Sequence, residues 1–209
     1  MEKIDIPKRT VYRLSLYQRC LQQLKEEGVD TVSSEDLASA AGVKPTQLRK
    51  DLGYVGQVGT RGLGYGVGTL SGAISGIMGT SSVLQPVVLI GVGNLGAALL
   101  RYSGFRKEGF EIIAAFDADP CHVKSTTEEM GVPVHHVDGL GDYVKQHGVK
   151  MAIIAVPGSA GQSVADVLVE AGVSALLNFS PAVLSVPDDR VVNQVDLAAE
   201  LRSLAFFAS

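Results

Sequence analysis

The sequence predicts an α/β protein in two parts, a small winged helix-turn-helix domain followed by a doubly wound parallel sheet. Three observations support this prediction. A buried apolar strand at 87–90 runs directly into a Gly-x-Gly-x-x-Gly motif. Apolar strands and amphipathic helices alternate from there onward. Two short helical segments and a glycine-rich segment, at 33–52 and 54–67, come before them.

The glycine motif predicts a Rossmann-type dinucleotide site. The apolar run at 87–90 is typical of a parallel strand that is buried on both faces. We expect Gly91 to allow the tight turn, Gly93 to let the backbone approach a pyrophosphate, and Gly96 to let helix and strand pack closely. The predicted pyrophosphate-binding residues are Gly91, Val92, Gly93, Asn94, Leu95 and Gly96.

Asp117 is predicted to bind the adenosine ribose. It follows a second apolar strand, 112–116, and lies about 20 residues beyond Gly96, as the ribose-binding acid of such folds does. A carboxylate there accepts hydrogen bonds from ribose hydroxyls and repels a 2′-phosphate, which favours NAD(H) over NADP(H). The alternative is that Asp117 only caps a turn before Asp119-Pro120.

Composition limits the classes of function. The 209 residues have a mean hydropathy of +0.22, so the chain can bury a core. No apolar run approaches the ~20 residues of a membrane helix, and the charged start 1–5 does not resemble a signal peptide. The two cysteines, Cys20 and Cys121, lack C-x-x-C spacing. We expect a cytoplasmic protein with no membrane partner and no metal.

Charge and linker composition divide the chain. The net charge is −4, but 10 Lys and Arg stand against 8 Asp and Glu up to Thr80, so the first third is basic. This imbalance is too small to predict a DNA partner by itself. The polar segment 79–82 predicts a boundary, and we expect three parts: 1–80, 83–195 and a C-terminal helix in 196–209.

The first domain is predicted to contain a helix at 4–27, with Val11, Leu14, Leu21 and Leu24 on its apolar face, and then a helix-turn-helix. Ser33, three residues before an acid, predicts the cap of a helix whose apolar face is Leu37, Ala40 and Ala41. Gly42 ends that helix. Pro45, at a first-turn position, begins a second helix that runs to position 52.

The second of these helices carries the predicted DNA-contacting residues. Leu48 and Leu52 are expected to face the core, which leaves polar side chains on the outward face: Thr46, Gln47, Arg49 and Lys50. Glutamine can bind adenine bidentately, arginine binds guanine, and lysine binds guanine or a phosphate. The alternative is a helical hairpin with a solvated polar face.

The glycine-rich segment 54–67 favours the DNA-binding interpretation. It predicts two short strands joined by a tight loop, which is the form of a wing. Arg61 would lie at the tip, where an arginine between glycines can enter a minor groove. The alternative is a solvated loop cation. The remaining expected elements are helices at 69–78, 140–146 and 164–171 and strands at 132–134, 151–156, 175–179 and 191–195.

With both halves in view, the sequence resembles the Rex family of redox-sensing transcriptional repressors over essentially its whole length. The matching stretches include Gln-Leu-Arg-Lys-Asp-Leu at 47–52, Gly-Thr-Arg-Gly-Leu-Gly-Tyr at 59–65, the glycine motif, Tyr-Ser-Gly-Phe at 102–105, Phe-Asp-Ala-Asp-Pro at 116–120, Val-Pro-Gly at 156–158, Leu-Asn-Phe-Ser-Pro at 177–181 and Val-Asp-Leu at 195–197. The glycine motif alone would fit many enzymes, whereas this combination is specific.

The resemblance implies a homodimer that binds double-stranded operator DNA and releases it when NADH is bound. It implies that a C-terminal helix, about 196–207, swaps onto the partner, although the same apolar stripe could pack on its own domain. It implies that Tyr102 and Asp196 respond to the redox state of the nicotinamide. The residues implied to line the nicotinamide are Pro157, Gly158, Asn178, Phe179, Ser180 and Pro181.

The sequence departs from the family at two positions, where Val55 and Lys124 stand in place of the Phe and Gly that the resemblance implies. Lys124 is close enough in sequence to Asp117 to affect the adenosine pocket, so it bears on the exclusion of NADP. Two rival functions stay open, an NAD-dependent oxidoreductase and a CoA-binding module. An oxidoreductase needs a proton donor beside the nicotinamide. The candidates, none well placed, are Asn178, His122, His135, His136 and His147.

Overall fold

The structure is a computed structural model that describes residues 5–60, 63–79, 84–119 and 131–208. The chain divides into two compact units, Met1–Val83 and Leu84–Ser209. The C-terminal helix belongs to the second unit. The two units are described separately below.

The first unit is a winged helix-turn-helix, as the sequence predicts. Its elements are α1 (Lys8–Glu26), β1 (Thr31–Val32), α2 (Ser34–Ala40), α3 (Pro45–Leu52), β2 (Gly59–Thr60), β3 (Gly64–Gly66) and α4 (Val67–Met78). The three strands form an antiparallel sheet in the order β1-β3-β2. Strand β1 was not expected, because two residues are too few to show a periodicity of two.

The helix caps are local and were predictable, whereas the buried faces of α1 and α2 were predicted only in part. The Ser33 hydroxyl accepts a hydrogen bond from Asp36 N at 3.0 Å, as a capping serine does. The expected burial of Ala40 was wrong, because Ala38 is buried beside Leu37 instead. Val43 N donates to the carbonyl of Ala38, so the turn after α2 folds over that side of the helix.

The α1 helix packs through Leu14, Leu21 and Tyr17, all of which are fully buried. Tyr17 was not among the expected core residues, whereas Val11 was and is 38% exposed. Val55, one of the two departures from the family pattern, is partly buried against the same core. A valine is therefore accommodated there by ordinary packing.

Gly72 gives the first testable prediction. It lies inside α4, it is exposed, and a Cβ built on it meets nothing within 4 Å. We expect Gly72→Ala to raise the free energy of unfolding of this unit by about 0.5–1 kcal/mol, because glycine is a poor helix former. Urea denaturation measures the change. Gly79→Ala is the matched control and should destabilise, because Gly79 has φ +67° at the end of α4. A loss of stability in Gly72→Ala would contradict the prediction.

The second unit is a doubly wound sheet, which confirms the predicted fold class. Its elements are β4 (Gln85–Ile90), α5 (Asn94–Leu100), α6 (Gly104–Lys107), β5 (Phe110–Asp117), β6 (Val134–His136), a 3-10 turn (Val137–Gly139), α7 (Leu140–His147), β7 (Met151–Ile154), α8 (Gly158–Glu170), β8 (Ala175–Asn178), β9 (Val191–Gln194) and α9 (Leu197–Ala208). The strands are all parallel, in the order β6-β5-β4-β7-β8-β9. This is the strand order of dinucleotide-binding Rossmann domains.

Two of the boundaries that differ from expectation have a clear physical cause. Strand β6 begins at Val134, two residues later than predicted, because it pairs with the end of β5 rather than its middle. Helix α8 begins at Gly158, although the apolar periodicity starts only at Val164. Its first turns are small and polar, and Pro157 precedes them as the N-cap residue.

Helices cover both faces of the sheet, but one face is partly open. Helices α7 and α8 pack on one face around Leu140, Val144 and Leu168. On the other face the side chains of α5 and α6 cover β4 and β5. Beside them lies an apolar cavity of about 280 Å³ that extends over β7, β8 and β9, lined by residues that include Met151, Ile153, Leu177 and Val191. Helix α9 has no buried residue.

No helix in the described ranges is both long enough and apolar enough to cross a membrane.

Candidate dinucleotide site and DNA-binding helix

The glycine loop has the close backbone contacts that a dinucleotide-binding turn requires. Gly91 has φ +91°, and a Cβ on it would lie 2.6 Å from Ala155 O, on the loop that follows β7. A Cβ on Gly96 would lie 2.0 Å from Gly91 O. The turn can therefore exist only with glycine at both positions. Gly96 also fixes how closely α5 approaches the turn.

Gly93 differs from its two neighbours because space is open in front of it. A Cβ built there meets nothing within 4 Å, and Gly93 is the N-cap residue of α5 without a side-chain cap. The first N–H groups of a helix lack partners within the helix. Leu95, in the first turn of α5, is 38% exposed. The loop thus offers backbone donors on an open side, which is how such turns hold a pyrophosphate.

Asp117 lies at the carboxyl end of β5, beside this loop. Its Oδ2 accepts a hydrogen bond from Val92 N at 2.7 Å, and its Oδ1 accepts one from Asp119 N at 2.9 Å. The bond from Asp119 N shows that Asp117 also caps the turn that follows β5, which is the alternative role given to it in the sequence analysis. A carboxylate has about four acceptor positions, so two remain for ribose hydroxyls. Val92 is buried, and Asp117 Oδ2 accepts the hydrogen bond from its N–H.

The loop after β7 faces the glycine loop across the point where the strand order reverses. Ligands of open α/β sheets bind at such a point. Val156 Cγ1 lies 3.0 Å from the position of a Cβ on Gly91. A Cβ on Gly158 would lie 3.2 Å from the Pro181 ring, so the loops after β7 and β8 are also in close contact. Pro157, Gly158 and Pro181 therefore lie together at the carboxyl edge of the sheet.

Asn178 and Ser180 are fully buried, and their polar side-chain atoms are used inside the protein. Asn178 Nδ2 donates to Gln194 Oε1 at 2.6 Å and to Ala182 O at 2.9 Å, and its Oδ1 accepts from Ser180 N at 3.0 Å. The hydroxyl of Ser180 accepts from Ala182 N at 3.2 Å. These two side chains hold the loop in shape, and a ligand at this edge would meet the loop's backbone. Phe179 is half-buried between them.

Tyr102 and Asp196 are both exposed, and the described part of the chain shows no hydrogen bond between them. The Tyr102 ring contacts Phe105 edge-on with centroids 5.0 Å apart. Asp196 Oδ1 accepts a hydrogen bond from Ala199 N at 2.9 Å, so Asp196 caps α9. Within one protomer the two predicted switch residues make separate contacts.

Each of the three histidines that the structure describes has a ring or a carboxylate as its neighbour. His135 lies between Phe116 and Tyr143, with ring centroids 5.5 and 5.3 Å away, and His147 stacks on Tyr143 at 3.9 Å. His136 lies beside Asp138, with 3.1 Å between Nδ1 and Oδ2. His122 and Lys124 lie outside the described residues. Among the residues that the structure describes, no group of three His, Cys, Asp or Glu side chains could hold a metal.

In the first unit, three of the predicted DNA-contacting residues of α3 are exposed, namely Thr46, Arg49 and Lys50. Leu48 and Leu52 face the core, as predicted. Arg49 Nη1 donates to the Ser34 hydroxyl at 3.0 Å, across a groove between the two helices and the wing. Arg61 lies outside the described residues. Leu63, two residues after it in the sequence, is 73% exposed, and Leu63 N donates to Thr60 O at the base of the wing loop.

Gln47 departs from the prediction that it faces fully outward. It is half-buried, and its Nε2 donates to Asp51 Oδ1 at 2.9 Å. Asp51 is 1% exposed. Its carboxylate also receives hydrogen bonds from α1, through Arg13, Tyr17 and Thr10. Sequence periodicity did not identify this buried carboxylate, because its main partners lie 34 to 41 residues away along the chain.

Burial acts to raise the pKa of Asp51, but hydrogen bonds from Arg13, Tyr17 and Gln47 outweigh it and hold the pKa below its usual value. Burial, together with the bond to Asp51, raises the pKa of Tyr17, so this phenol stays a donor at neutral pH. The hydrogen bond to Asp51 likewise raises the pKa of Arg13.

These shifts predict how the stability of the first unit depends on pH. Because the folded pKa of Asp51 is lowered, its contribution is present above the unfolded pKa of about 3.9 and is lost as pH falls through the folded value. We expect the free energy of unfolding to decrease below about pH 4, and Asp51→Asn to remove part of that decrease. Urea denaturation across acidic pH measures both. The same pH slope in the variant and the wild type would contradict the prediction.

Comparison with known families places both units among characterised proteins. A model described as a putative DNA-binding protein N-terminus matches residues 5–53, and one described as a CoA binding domain matches residues 84–182. A redox-sensing transcriptional repressor Rex of Streptomyces avermitilis is 50% identical over 201 residues, which cover 96% of this chain and 79% of the relative. A Rex repressor of Desulforamulus reducens is 44% identical over 206 residues, which cover 99% and 97%.

Solved structures give the same result. The crystal structure of RSP in complex with β-NAD⁺ and operator DNA is 32% identical, with a TM-score of 0.87 over 99% of this chain and 94% of that chain. RSP in complex with β-NADH is 30% identical, with a TM-score of 0.82 over 99% and 95%. RSP is described as a Rex-family repressor.

Proposed function

The chain belongs to the Rex family of redox-sensing transcriptional repressors, and we propose that it acts as one. In this proposal a cytoplasmic homodimer binds operator DNA through its winged helices and leaves the DNA when NADH occupies the Rossmann domains. The observation that carries the proposal is that one chain contains both a dinucleotide site and a DNA-binding helix. In the second unit Asp117 lies beside the glycine loop. The first unit carries α3, on which Thr46, Arg49 and Lys50 are exposed.

Asp117 supports NAD(H) as the ligand. Its two oxygens are fixed by backbone N–H groups of Val92 and Asp119, so the carboxylate is preorganised at the strand end where the ribose of a dinucleotide lies. A 2′-phosphate at that position would meet a negative charge. The exposed backbone around Gly93 would hold the pyrophosphate, and the loops at Pro157 and 178–181 would line the nicotinamide.

Helix α9 supports the homodimer. Its apolar side chains are largely exposed in the protomer, with Leu197 at 60%, Leu201 at 67%, Leu204 at 62% and Phe207 at 79%. In the protomer this stripe does not pack on its own domain, because no residue of α9 is buried. We infer that a second copy of the chain covers it by exchange of the helix, because exchanging an identical element is a low-cost route to a closed symmetric dimer.

The redox signal requires no chemistry by the protein. Hydride addition turns a planar cationic nicotinamide into a neutral, slightly puckered ring, so a site can distinguish the two forms by charge and shape. The shift between DNA-binding and released arrangements can be no larger than the difference in affinity of those arrangements for NADH and NAD⁺. We infer that NADH moves the two α3 helices out of register with successive major grooves, which are roughly 34 Å apart. Tyr102 and Asp196 would respond to the nicotinamide.

Operator binding tests the proposal directly. Inverted-repeat DNA selected from a random library by the wild-type protein should bind the dimer, and binding should weaken steeply with salt because Lys50 and its neighbours contact phosphates. Fluorescence anisotropy measures the affinity. Failure to select any inverted repeat would exclude the repressor function.

A CoA-binding function is the second candidate, because residues 84–182 match a CoA binding domain model. Calorimetry with NADH and CoA side by side separates the two. We expect a heat of binding when NADH is titrated into the protein and none when CoA is titrated. Tight binding of CoA and none of NADH would reverse the choice of ligand.

Asp117→Asn gives a prediction for cofactor choice. The variant keeps one acceptor but loses the negative charge, so we expect NADH affinity to fall about tenfold, equivalent to the loss of one charged hydrogen bond, and the preference for NADH over NADPH to shrink. Asp188→Asn, a change at an exposed loop carboxylate, is the matched control. Unchanged preference for NADH in Asp117→Asn would contradict the assignment.

A further inference from the structure

The side chain of Asp51 is a buried anion on the helix that carries the DNA-contacting residues. Arg13 bonds it bidentately, with Nε to Oδ2 at 2.6 Å and Nη2 to Oδ1 at 2.7 Å. The Tyr17 hydroxyl donates to Oδ2 at 2.8 Å, and the Thr10 hydroxyl donates to Oδ1 at 3.3 Å. All three of these residues belong to α1, so the carboxylate joins α3 to the helix beneath it.

The fifth donor is Gln47, one helical turn before Asp51. An ionised carboxylate accepts hydrogen bonds and cannot donate them. The Gln47 amide must therefore turn its nitrogen, and not its oxygen, toward Asp51. This leaves Oε1 and the second N–H of Nε2 without a hydrogen bond to any described residue. An oxygen acceptor next to an N–H donor is complementary to adenine in the major groove, where N6 donates a hydrogen bond and N7 accepts one.

We propose that Asp51 is a positioning residue for DNA recognition, which fixes the orientation of the Gln47 amide so that it presents an acceptor and a donor to adenine. This inference rests on the proposed operator binding. It assigns a specificity role to a residue that is too buried to contact DNA itself. Without Asp51 the amide can rotate by half a turn, which exchanges its donor and acceptor, and the preference for adenine is then lost.

The experiment measures base preference and not overall affinity. The selected operator is altered at one base pair at a time, and the pair that Gln47 contacts is the one whose identity ceases to matter in Gln47→Ala. At that pair we expect the wild-type protein to prefer A·T by about tenfold. Asp51→Asn, which replaces an acceptor-only group by an amide, should remove most of this preference.

A purely structural role makes a different prediction. It would weaken binding to every operator variant by the same factor and leave the preference unchanged, and that result overturns the proposal. Tyr17→Phe is the matched control, because it removes a donor from the same carboxylate without touching Gln47. It should lower the free energy of unfolding while the A·T preference stays at its wild-type value.

A measurement on the wild-type protein keeps the proposal testable if Asp51→Asn does not fold. In the side-chain amide NMR spectrum, the Gln47 proton bound to Asp51 should exchange with solvent more slowly than the protons of the exposed Gln57. Equal exchange overturns the proposal. If the wild-type protein binds no inverted repeat, the proposed repressor function is wrong. The NMR measurement does not need DNA, so it still tests the orientation of the Gln47 amide.

Discussion

Replacing Gly96 by alanine is expected to abolish high-affinity NADH binding. A Cβ at this position would lie 2.0 Å from Gly91 O, a backbone atom that cannot move aside as the end of a flexible side chain could. Forcing extra volume into such a packed site costs about 1–3 kcal/mol, and the loop that must move is the one that would hold the pyrophosphate. We expect NADH affinity to fall about 100-fold, as measured by calorimetry.

Two further glycines serve as controls for that result. Gly141→Ala adds a Cβ at an ordinary 3.6 Å contact with Val167 and should bind NADH normally. Gly93→Ala adds a Cβ in open space, so the fold should be unaffected while NADH binding weakens, because the methyl group would face the pyrophosphate. Normal NADH binding by Gly96→Ala would mean that the glycine loop is not the cofactor site.

Charged residues in the apolar stripe of α9 are expected to dissociate the dimer. Leu201 and Leu204 are 67% and 62% exposed in the protomer, so Leu201→Asp with Leu204→Asp should leave the protomer folded. In the proposed dimer the same side chains are buried, and two unpaired carboxylates there would be strongly unfavourable. The variant should sediment as a monomer.

Loss of the dimer should also remove operator binding. Two linked winged helices bind two half-sites with an avidity 10²–10⁴ times that of one alone, so we expect operator affinity to fall by at least about 100-fold. Glu200→Gln, on the same helix, is the matched control and should stay dimeric. A doubly substituted protein that remains a dimer and still binds the operator would contradict the role given to α9.

The features that local chemistry determines could be predicted from the sequence. The Ser33 cap depends on residues within a few positions of one another, and the glycine turn was recognisable from its own spacing after an apolar strand. Asp117 was predicted from its spacing after the glycine motif, and the structure places it beside Val92 N. The doubly wound parallel sheet was predicted from the alternation of strands and helices.

The features that depend on distant partners could not be predicted in this way. Periodicity puts Gln47 on the outer face of α3, but Asp51 draws its amide inward, and Asp51 is itself buried only because α1 supplies Arg13 and Tyr17. The resemblance implies that Asn178 lines the nicotinamide, but it does not reveal that the Asn178 amide donates to Gln194 on the neighbouring strand. Contacts between elements far apart in sequence decide both cases.

The stripe on α9 illustrates a third limit. Its heptad-like apolar spacing predicts a helix with one buried face, but spacing does not identify the surface that buries it. The structure of the protomer leaves Leu197 and Phe207 exposed, which supports a partner outside the chain.

The central claim is that bound NADH and bound NAD⁺, which differ by one hydride, have opposite effects on DNA binding. The most direct test is anisotropy of a labelled operator with the wild-type protein, titrated across NADH to NAD⁺ ratios at constant total nucleotide. The account predicts that the DNA is released as the NADH fraction rises and stays bound in NAD⁺ alone. Equal affinity for the operator at every ratio would contradict it.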